Sequence, residues 1–343
     1  MHQIRIPHPG DHRVLHLVSA PSPGPDDVHI GVEAPGVNFA DIIVRLGLYA
    51  SAKKYVGWPI TPGFEVAGTV LGVGEKVNMF KKGDRVLGVC RFGGYASEVV
   101  LPAAQVLPLP SAWTMAQGAG FPVAFLTAWY GLCHLGRARA GETALIHSAA
   151  GGVGQALVQL AVARGVRVIG TVGSAAKIDT VLGMGAAACV DRSAHRDQGW
   201  AELRRLAPGG YDLILDALGV DALRQGYAAL APCGRLVVYG AATMFDKGGD
   251  RVSWPTLAWR WLRTPRFNPL DMTTRNCSIH GFNLSFLFDR ADVLVPAMHE
   301  LLDQAARGHL QPLPVQTFPL AEVARAHAAL ESGSTQGKLV LLP

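Results

Sequence analysis

Residues 149–154 form a glycine-rich turn whose spacing suits an anionic ligand. The turn reads Ala149-Ala-Gly-Gly-Val-Gly154, which is the spacing of a dinucleotide-binding fingerprint with alanine at its first position. Gly151 would let the backbone approach a pyrophosphate, and Gly154 would let a helix pack closely on the strand before it. A helix that begins here also offers free N–H groups and a positive dipole end to phosphate. We therefore predict a nucleotide site rather than a ligand-free turn, with cofactor contacts from Ala150, Gly151, Gly152, Val153 and Gly154.

The elements on either side of the turn are those that such a site requires. Residues 143–147 form an apolar run, and the apolar residues at 153, 157, 160 and 161 share one face of a helix. Strand-like apolar runs recur along the chain, with helical stretches such as 153–164 and 220–231 between most of them. The runs lie at residues 143–147, 166–172, 187–190, 211–216, 234–240 and 276–282. This alternation predicts an α/β fold with a doubly wound parallel sheet.

The regions before and after this alternation differ in character. Residues 1 to about 120 contain short apolar runs separated by Pro and Gly, a spacing typical of a small β-rich barrel. The tail, residues 309–343, returns to short strands and is expected to complete that barrel. We therefore predict a β-rich domain at 1–122, a dinucleotide-binding domain at 123–308 and a return to the first domain at 309–343.

The composition narrows the class of protein. The chain has 343 residues, 49% of them hydrophobic, and a net charge of +5 from basic residues that are scattered rather than clustered. That pattern argues against a nucleic-acid surface. The five cysteines are odd in number and far apart, which argues against a disulfide framework or a zinc ribbon and favours a reducing compartment. With no signal-peptide core and no apolar run of membrane-spanning length, a cytoplasmic location is expected.

One stretch, residues 245–275, interrupts the alternation of strands and helices. It mixes aromatic side chains with Lys and Arg. We interpret it as a lid or a subunit contact; the alternative is a peripheral membrane patch, because aromatic–basic mixing suits a membrane interface. A nucleic-acid contact is the least favoured interpretation. The residues concerned are Trp254, Trp259, Trp261, Phe267, Lys247, Arg251, Arg260, Arg263 and Arg266.

Six motifs occur in the order and spacing of a known group of enzymes. They are Gly36-Val-Asn-Phe-Ala-Asp41, Thr61-Pro-Gly-Phe-Glu-Val-Ala-Gly68, Gly83-Asp-Arg-Val86, Leu126-Thr-Ala-Trp129, residues 149–154 and Gly337-Lys-Leu-Val340. The chain resembles the medium-chain dehydrogenase/reductase superfamily, in its zinc-free quinone oxidoreductase branch. Within that branch, residues 245–275 followed by Gly281-Phe-Asn-Leu284 look most like the vesicle amine transport protein homologues. The resemblance implies a GroES-like domain plus a Rossmann domain, and a homodimer made by edge pairing of the Rossmann sheets.

The residues at the zinc-ligand positions of the superfamily predict a site without metal. Zinc alcohol dehydrogenases of the superfamily have Cys where this chain has Asn38, and His where it has Phe64. Neither residue type is a credible zinc ligand. The four-cysteine lobe expected after residues 85–94 is also missing from the sequence. A quinone or an enone, which needs no Lewis acid, therefore suits the chain better than an unactivated alcohol.

The second strand of the nucleotide domain predicts NADPH rather than NADH. A site that prefers NADH usually has an Asp or Glu about 20 residues beyond the turn, which bonds the ribose 2′-hydroxyl. The corresponding segment here, Gly170-Thr-Val-Gly-Ser174, contains no acidic residue. Ser174 can donate to a 2′-phosphate instead, and Lys177 can supply charge. Arg192 could bind the same phosphate through two hydrogen bonds, although the negative charge of Asp191 beside it could cancel the attraction. The alternatives are a solvated helix residue for Lys177 and no ligand for Arg192.

Further site residues follow from the resemblance. It places Thr127 near the nicotinamide, and it places Phe282 and Lys338 where relatives contact the cofactor. A core position for Phe282 and a surface position for Lys338 are the alternatives. The path from pyrophosphate to nicotinamide would be lined by Gly219, Tyr239, Gly240 and Ala241.

Two residues of the β-rich domain are candidates for catalysis. Asn38 would donate a hydrogen bond to the substrate oxygen that gains charge, or would contact the nicotinamide ribose. Tyr49 would give the proton, unless solvent does so or the ring is a packed aromatic. Asp41 and Glu65 are interpreted as structural. The predicted function is an NADPH-dependent, zinc-independent quinone or enone reductase; the alternatives are a nucleotide-binding protein for membrane or partner association and a zinc-independent alcohol dehydrogenase.

Overall fold

A computed structural model describes residues 2–19, 27–193, 198–245 and 252–343. Lys247 and Arg251, two basic residues of the stretch at 245–275, lie outside these ranges. In the described part of the chain, no helix combines the length and the apolar character needed to cross a membrane.

Strands and helices alternate in the middle of the chain, strands predominate before it, and both occur in the C-terminal part. In chain order, the strands of the described residues are β1 (His2–Arg5), β2 (His16–Ser19), β3 (Val28–Val37), β4 (Glu65–Val73), β5 (Arg85–Val89), β6 (Glu98–Leu101), β7 (Val106–Pro108), β8 (Thr143–Ile146), β9 (Arg167–Val172), β10 (Ala188–Asp191), β11 (Tyr211–Asp216), β12 (Leu230–Val238), β13 (Ser278–Gly281), β14 (Val315–Pro319) and β15 (Lys338–Leu342). The α-helices are α1 (Phe39–Arg45), α2 (Ala50–Tyr55), α3 (Met115–Ala119), α4 (Pro122–Trp129), α5 (Gly152–Ala163), α6 (Ile178–Gly183), α7 (Gln198–Leu206), α8 (Asp221–Ala228), α9 (Trp254–Arg263), α10 (Pro269–Arg275), α11 (Ala291–Ala306) and α12 (Val323–Ser332).

The first of two compact units contains the residues up to Ala124 together with Ser285–Pro343. Its sheet has the strand order β14-β15-β3-β4-β5-β7, and β6 also pairs with β3. These pairings are antiparallel, except for the parallel pair β14–β15. The tail strands therefore belong to the sheet that the N-terminal strands form.

Alternate residues of β3 form part of the core of this unit. Val28, Ile30 and Val32 are buried, and they cluster with Val66 and Val70 of β4. Burial with a period of two is what an antiparallel sheet with one covered face produces. The predicted β-rich character of this part of the chain is confirmed.

The second unit contains residues 125–245 and Val252–Leu284. Its six strands are parallel, in the order β10-β9-β8-β11-β12-β13. Numbered within the unit, this order is 3-2-1-4-5-6, which is that of a Rossmann sheet. Leu145, Ile169, Ile214 and Leu236, on four of its strands, are fully buried, as expected for a parallel sheet covered on both faces. The predicted doubly wound sheet is confirmed.

Two details differ from the sequence prediction. Residues 285–308 pack with the first unit, whereas the sequence assigns them to the nucleotide domain; the domain boundaries themselves stay a prediction. Strand β12 begins at Leu230 rather than at residue 234. The added residues include Cys233, which has a φ of 63°, and the pairing of β12 with β11 shifts register between Tyr211 and Leu213.

The missing side chain at Gly154 allows helix α5 to lie close to the turn after β8. A Cβ at this position would overlap the Ser148 carbonyl oxygen and would lie 2.7 Å from the Ala149 Cα. Both are backbone atoms, which cannot move aside as the end of a flexible side chain can. This is the packing role expected for the last glycine of the fingerprint.

We expect Gly154→Ala to lower the free energy of unfolding by about 1–3 kcal/mol, the usual cost of forcing a methyl group into a well-packed site. Chemical denaturation followed by circular dichroism measures this change. Gly183→Ala is the matched control, because a Cβ at this other helical glycine would meet nothing within 4 Å. Equal stability of the two variants would contradict the packing role of Gly154.

Candidate functional site

The glycine turn presents open space and backbone donors at the start of α5. Gly151 precedes the helix in an extended conformation, with φ −79° and ψ 172°. A Cβ on Gly151 would meet only the Ser148 carbonyl oxygen, at 3.4 Å, so the space beside it is free of described protein atoms. The turn is braced by a hydrogen bond from the Ala149 N–H to the Thr171 carbonyl oxygen (2.9 Å). Because the first N–H groups of a helix have no intrahelical acceptor, this cradle fits a pyrophosphate.

The other residues of the turn differ in their exposure. Ala150 is buried, and its carbonyl oxygen accepts a hydrogen bond from Gln155 Nε2 at 2.9 Å. Gly152 and Val153 are partly exposed in the first turn of α5. A ligand could therefore reach the helix N-terminus at these two residues, whereas Ala150 supports the turn from inside.

Ser174 and Lys177 lie just beyond the end of β9. Ser174 precedes a short 3₁₀ turn, Ala175–Lys177, which ends at Lys177. Lys177 is only 8% exposed. The alternative interpretation of Lys177, a helix residue exposed to solvent, is therefore wrong.

Arg192, after β10, has a donor that the described residues do not satisfy. Its Nη2 lies 3.7 Å from the position of a Cβ on Gly173, and its buried Nε has no acceptor in the described ranges. Asp191 beside it accepts hydrogen bonds from the N–H and the hydroxyl of Ser193, each at 2.8 Å. Among the described residues the Arg192 guanidinium is thus incompletely paired, so it could still bond an anion.

A cavity of about 60 Å³ lies at the carboxyl ends of strands in the second unit. His147, Thr171 and Arg192 form its polar side, and Trp200 and Leu218 form part of its apolar side. The His147 and Trp200 rings meet edge to face, with centroids 5.7 Å apart. Nucleotides bind such sheets outside the carboxyl ends of the strands, where the strand order reverses.

Sequence reasoning missed two buried titratable groups beside this cavity. Burial lowers the pKa of His147 to about 3, so its ring is neutral at physiological pH, and its Nδ1 lies 3.0 Å from the Thr171 hydroxyl. Burial raises the pKa of Asp216 to about 6, although its Oδ1 accepts the N–H groups of Leu218 (2.9 Å) and Gly219 (2.7 Å). The only indication of His147 and Asp216 in the sequence is that each lies at the end of a predicted strand.

Two glycines let the loops after β11 and β12 approach each other. Gly219 has a φ of 80°, and a Cβ on it would lie 3.1 Å from the Ala241 Cα. A Cβ on Gly240 would lie 3.0 Å from the Ala217 carbonyl oxygen. Packing therefore disfavours a side chain at either position, whether or not a ligand lies beside these loops.

Phe282, after β13, belongs to a small aromatic cluster. Its ring centroid lies 4.9 Å from that of Tyr130 and 6.3 Å from that of Tyr239. Its N–H donates to the Val238 carbonyl oxygen at 3.1 Å. The ring is half-buried, so Phe282 is not a fully buried core residue. Thr127, the predicted neighbour of the nicotinamide, lies on α4 and is buried.

In the first unit, Asn38, Glu65 and Lys338 form a buried cluster. Lys338 Nζ donates to Asn38 Oδ1 and to Glu65 Oε1, both at 2.6 Å, and Asn38 Nδ2 donates to Glu65 Oε1 at 2.9 Å. The other carboxylate oxygen, Glu65 Oε2, accepts the Val123 N–H at the start of α4 (2.7 Å). Lys338 is only 5% exposed, so the alternative of a surface position is wrong. We call these three residues the Asn38–Glu65–Lys338 cluster.

Asp41 braces the backbone beside this cluster. Its Oδ2 accepts the Asn38 N–H (2.8 Å) and the Tyr95 hydroxyl (3.0 Å), and its Oδ1 accepts the Gly63 N–H (2.8 Å). Burial raises the pKa of Asp41 to about 7, against the lowering effect of these hydrogen bonds and of the Lys338 charge. Asp41 thus holds two backbone segments together, as its structural interpretation requires.

Tyr49, the second catalytic candidate, packs against two aromatic rings. Its ring meets Phe64 and Phe92 edge to face, with centroids 5.8 and 6.4 Å apart. Phe64 is only 3% exposed, so the position of the family's zinc-ligating His is apolar and buried in this chain. This packing fits the packed-aromatic alternative for Tyr49, and its role as a proton donor stays a prediction.

The predicted site residues fall into two sets, one in each unit. The first unit holds Asn38, Tyr49 and Lys338, and of these the structure joins Asn38 directly to Lys338. The second unit holds the turn, the predicted phosphate ligands after β9 and β10, and the loops after β11 to β13. Over the ranges that the structure describes, no group of three or more His, Cys, Asp and Glu side chains is arranged to hold a metal ion.

Comparisons with known proteins agree with this architecture. An alcohol dehydrogenase GroES-like domain matches residues 24–111, and a zinc-binding dehydrogenase domain matches residues 184–341. The synaptic vesicle membrane protein VAT-1 homolog of Rattus norvegicus is 34% identical over 94% of this chain and 78% of its own length. The quinone oxidoreductase of Mus musculus is 33% identical over 100% of this chain and 98% of its own length. The crystal structure of Escherichia coli quinone oxidoreductase complexed with NADPH superposes with a TM-score of 0.85, at 27% identity over 100% of both chains.

The Rossmann sheet, its glycine turn and the GroES-like unit define an oxidoreductase of the dehydrogenase/reductase class. The chain belongs to the medium-chain dehydrogenase/reductase superfamily, in its quinone oxidoreductase-like branch. Within that branch it resembles the VAT-1 homologues. The resemblance inferred from the six sequence motifs is confirmed.

Proposed function

We propose that the chain is an NADPH-dependent reductase that transfers hydride to a quinone or an activated enone without a metal ion. The observation that carries the proposal is an open glycine turn combined with Arg192, whose Nε has no acceptor in the described part of the chain, and no acid at the end of β9. The likeness to quinone oxidoreductases, one of them complexed with NADPH, supports it. The physiological acceptor would be a small molecule.

The residues of the second unit fit NADPH. The space beside Gly151 would receive the pyrophosphate, and Lys177 and Arg192 would receive the 2′-phosphate with help from Ser174. The neutral ring of His147 beside the cavity suits an uncharged base such as adenine better than an imidazolium would. When bound, NADPH would supply the hydride, while the protein orients the reactants and stabilises charge.

The Asn38–Glu65–Lys338 cluster supports chemistry without zinc. The Lys338 ammonium, 2.6 Å from Asn38 Oδ1, would repel a cation placed at this amide. Phe64 offers no lone pair at the other ligand position. A quinone or an enone is electron-poor without a Lewis acid, so a neutral donor such as the Asn38 amide suffices for the oxygen that gains charge. Tyr49 or solvent would supply the proton.

We expect the purified protein to consume NADPH with 1,2-naphthoquinone or methyl vinyl ketone, as followed by NADPH absorbance. Gly151→Glu should abolish this turnover, because the new carboxylate would fill the space for the pyrophosphate and repel it. Gly183→Glu is the matched control, since it adds the same charge at an exposed glycine of the same unit. Turnover that survives Gly151→Glu would contradict the proposed nucleotide site.

We expect Lys177→Ala and Arg192→Ala to weaken the binding of NADPH at least about tenfold more than that of NADH, because each removes a charge-assisted bond to a phosphate. Fluorescence titration with both cofactors gives the two dissociation constants. Arg204→Ala, an exposed arginine on α7, should change neither of them. Equal weakening of NADPH and NADH by the test variants would count against NADPH as the preferred cofactor.

A second candidate function, association with a membrane surface, rests on the exposure of helix α9. Trp254, Trp259 and Trp261 are 60–65% exposed, Leu262 is 66% exposed, and α9 has no buried residue. Clustered large apolar side chains on a surface mark interaction sites. Arg260 and Arg263 on the same helix add positive charge, although Arg263 pairs with Asp221 at 3.0 Å. A subunit contact would explain the same tryptophans.

Vesicle sedimentation and size-exclusion chromatography separate these two uses of α9. If α9 binds membranes, the protein will sediment with phosphatidylserine vesicles and not with phosphatidylcholine vesicles, and Trp259→Ala/Trp261→Ala will lose this binding. If α9 is a subunit contact, the same variant will change the oligomeric state and no vesicle will bind. Tyr55→Ala/Phe286→Ala is the control for lost aromatic surface, since this pair lies in the first unit. Vesicle binding together with NADPH binding but no turnover would favour membrane association as the main function.

A further inference from the structure

The Asn38 side-chain amide lies between a group that can only donate hydrogen bonds and a group that can only accept them. The Lys338 ammonium donates to Asn38 Oδ1, and the Glu65 carboxylate accepts from Asn38 Nδ2. An amide turned by 180° would place Nδ2 against the ammonium and Oδ1 against the carboxylate, and both contacts would be repulsive. The two charges therefore permit one orientation of the amide.

Both charged side chains are themselves held in place. A Cβ on Gly36 would lie 2.6 Å from Glu65 Oε1, and a Cβ on Gly120 would lie 3.1 Å from Lys338 Cγ, so two glycines admit these side chains. The hydrogen bond from the Val123 N–H to Glu65 Oε2 fixes the rotation of the carboxylate. The orientation of the Asn38 amide is thus set by groups that cannot easily turn with it.

One hydrogen of the amide is left over. Nδ2 carries two hydrogens, and Glu65 accepts one of them; no second acceptor for Nδ2 is present in the residues that the structure describes. Oδ1, in contrast, faces the Lys338 ammonium. Among the described residues, the polar atom of the Asn38 amide that is left for a further partner is therefore an N–H hydrogen of Nδ2.

We propose that Glu65 and Lys338 are positioning residues, which keep the free Asn38 N–H available as the donor to the substrate oxygen that gains negative charge. This inference rests on the proposed reductase function. A donor that is oriented before the reaction stabilises developing charge without reorganisation.

A double-mutant cycle tests whether the charged pair acts through Asn38. Asn38→Ala should lower kcat about 100-fold, the usual loss for one donor of this kind, with a much smaller change in KM for the quinone. Glu65→Gln/Lys338→Met, which removes both charges together, should lower kcat at least about tenfold on its own and less than about twofold in the Asn38→Ala background. Losses in kcat that multiply would overturn the proposal, because the pair would then act independently of Asn38.

Two further variants separate positioning from folding. Glu75→Gln/Lys76→Met makes the same chemical changes at two exposed residues and should keep the kcat of the wild type. Lys338→Arg keeps a cationic donor and should retain more activity than Lys338→Met. Thermal unfolding and the Kd for NADPH report whether each variant is folded. A Lys338→Arg variant that is folded, binds NADPH and is no more active than Lys338→Met would overturn the positioning role of the donor.

The orientation of the amide can also be measured without turnover. In protein labelled with nitrogen-15 asparagine, the side-chain signals of Asn38 are those that disappear in Asn38→Ala. One of its two amide protons should be protected from exchange with water, and Lys338→Met should lower that protection at least about tenfold. Unchanged protection in Lys338→Met would overturn the positioning role. A failure of the proposed function would appear separately, as a wild-type protein that reduces neither quinone nor enone.

Discussion

Hydrogen bonds to the fully buried carboxylate of Glu65 hold together three segments of the first unit. The carboxylate accepts hydrogen bonds from Asn38, Lys338 and the Val123 N–H, so the residue after β3, the first residue of β15 and the start of α4 meet at one side chain. A buried charge is tolerated only where its lone pairs are filled by partners. None of these elements can shift without leaving the carboxylate short of a donor. The orientation of the Asn38 side chain is therefore set by the contacts that hold these three elements together.

The second unit depends on two glycines that serve opposite purposes. Gly154 is needed because a Cβ there would strike backbone, so it brings α5 close to the turn. Gly151 has open space beside it, so its missing side chain leaves room at the helix N-terminus. The same short segment thus packs tightly on one side and stays accessible on the other. Arg192, whose Nε has no acceptor among the described residues, adds positive charge beside the cavity of this unit, while the neutral His147 does not.

Features that depend on local sequence patterns could be predicted, whereas contacts between residues far apart in the chain could not. The alternation of strands and helices in the second unit follows from periodicity, and the glycine turn follows from one motif; both patterns are local. The Asn38–Glu65–Lys338 cluster joins residues 300 positions apart in the chain, and Lys338 taken alone looks like a surface lysine. The packing of Tyr49 against Phe64 and Phe92 likewise depends on three loops meeting. Strand β12 begins at Leu230, before the predicted run at 234–240, because Leu230 pairs with Tyr211 of β11, and the sequence of one strand does not show its partner.

The net charge of the Asn38–Glu65–Lys338 cluster bears on which acceptors the proposed reductase can use. The Lys338 ammonium is paired with the Glu65 carboxylate at 2.6 Å, so the two charges largely cancel beyond their own contact. Stabilisation of an oxygen that gains charge would then come from the dipole of the Asn38 N–H rather than from a free cation. A single neutral donor stabilises such an oxygen less than a Lewis acid does. The proposed reductase would therefore need an acceptor that is electron-poor in its own right, which a quinone or an enone is and an unactivated carbonyl is not.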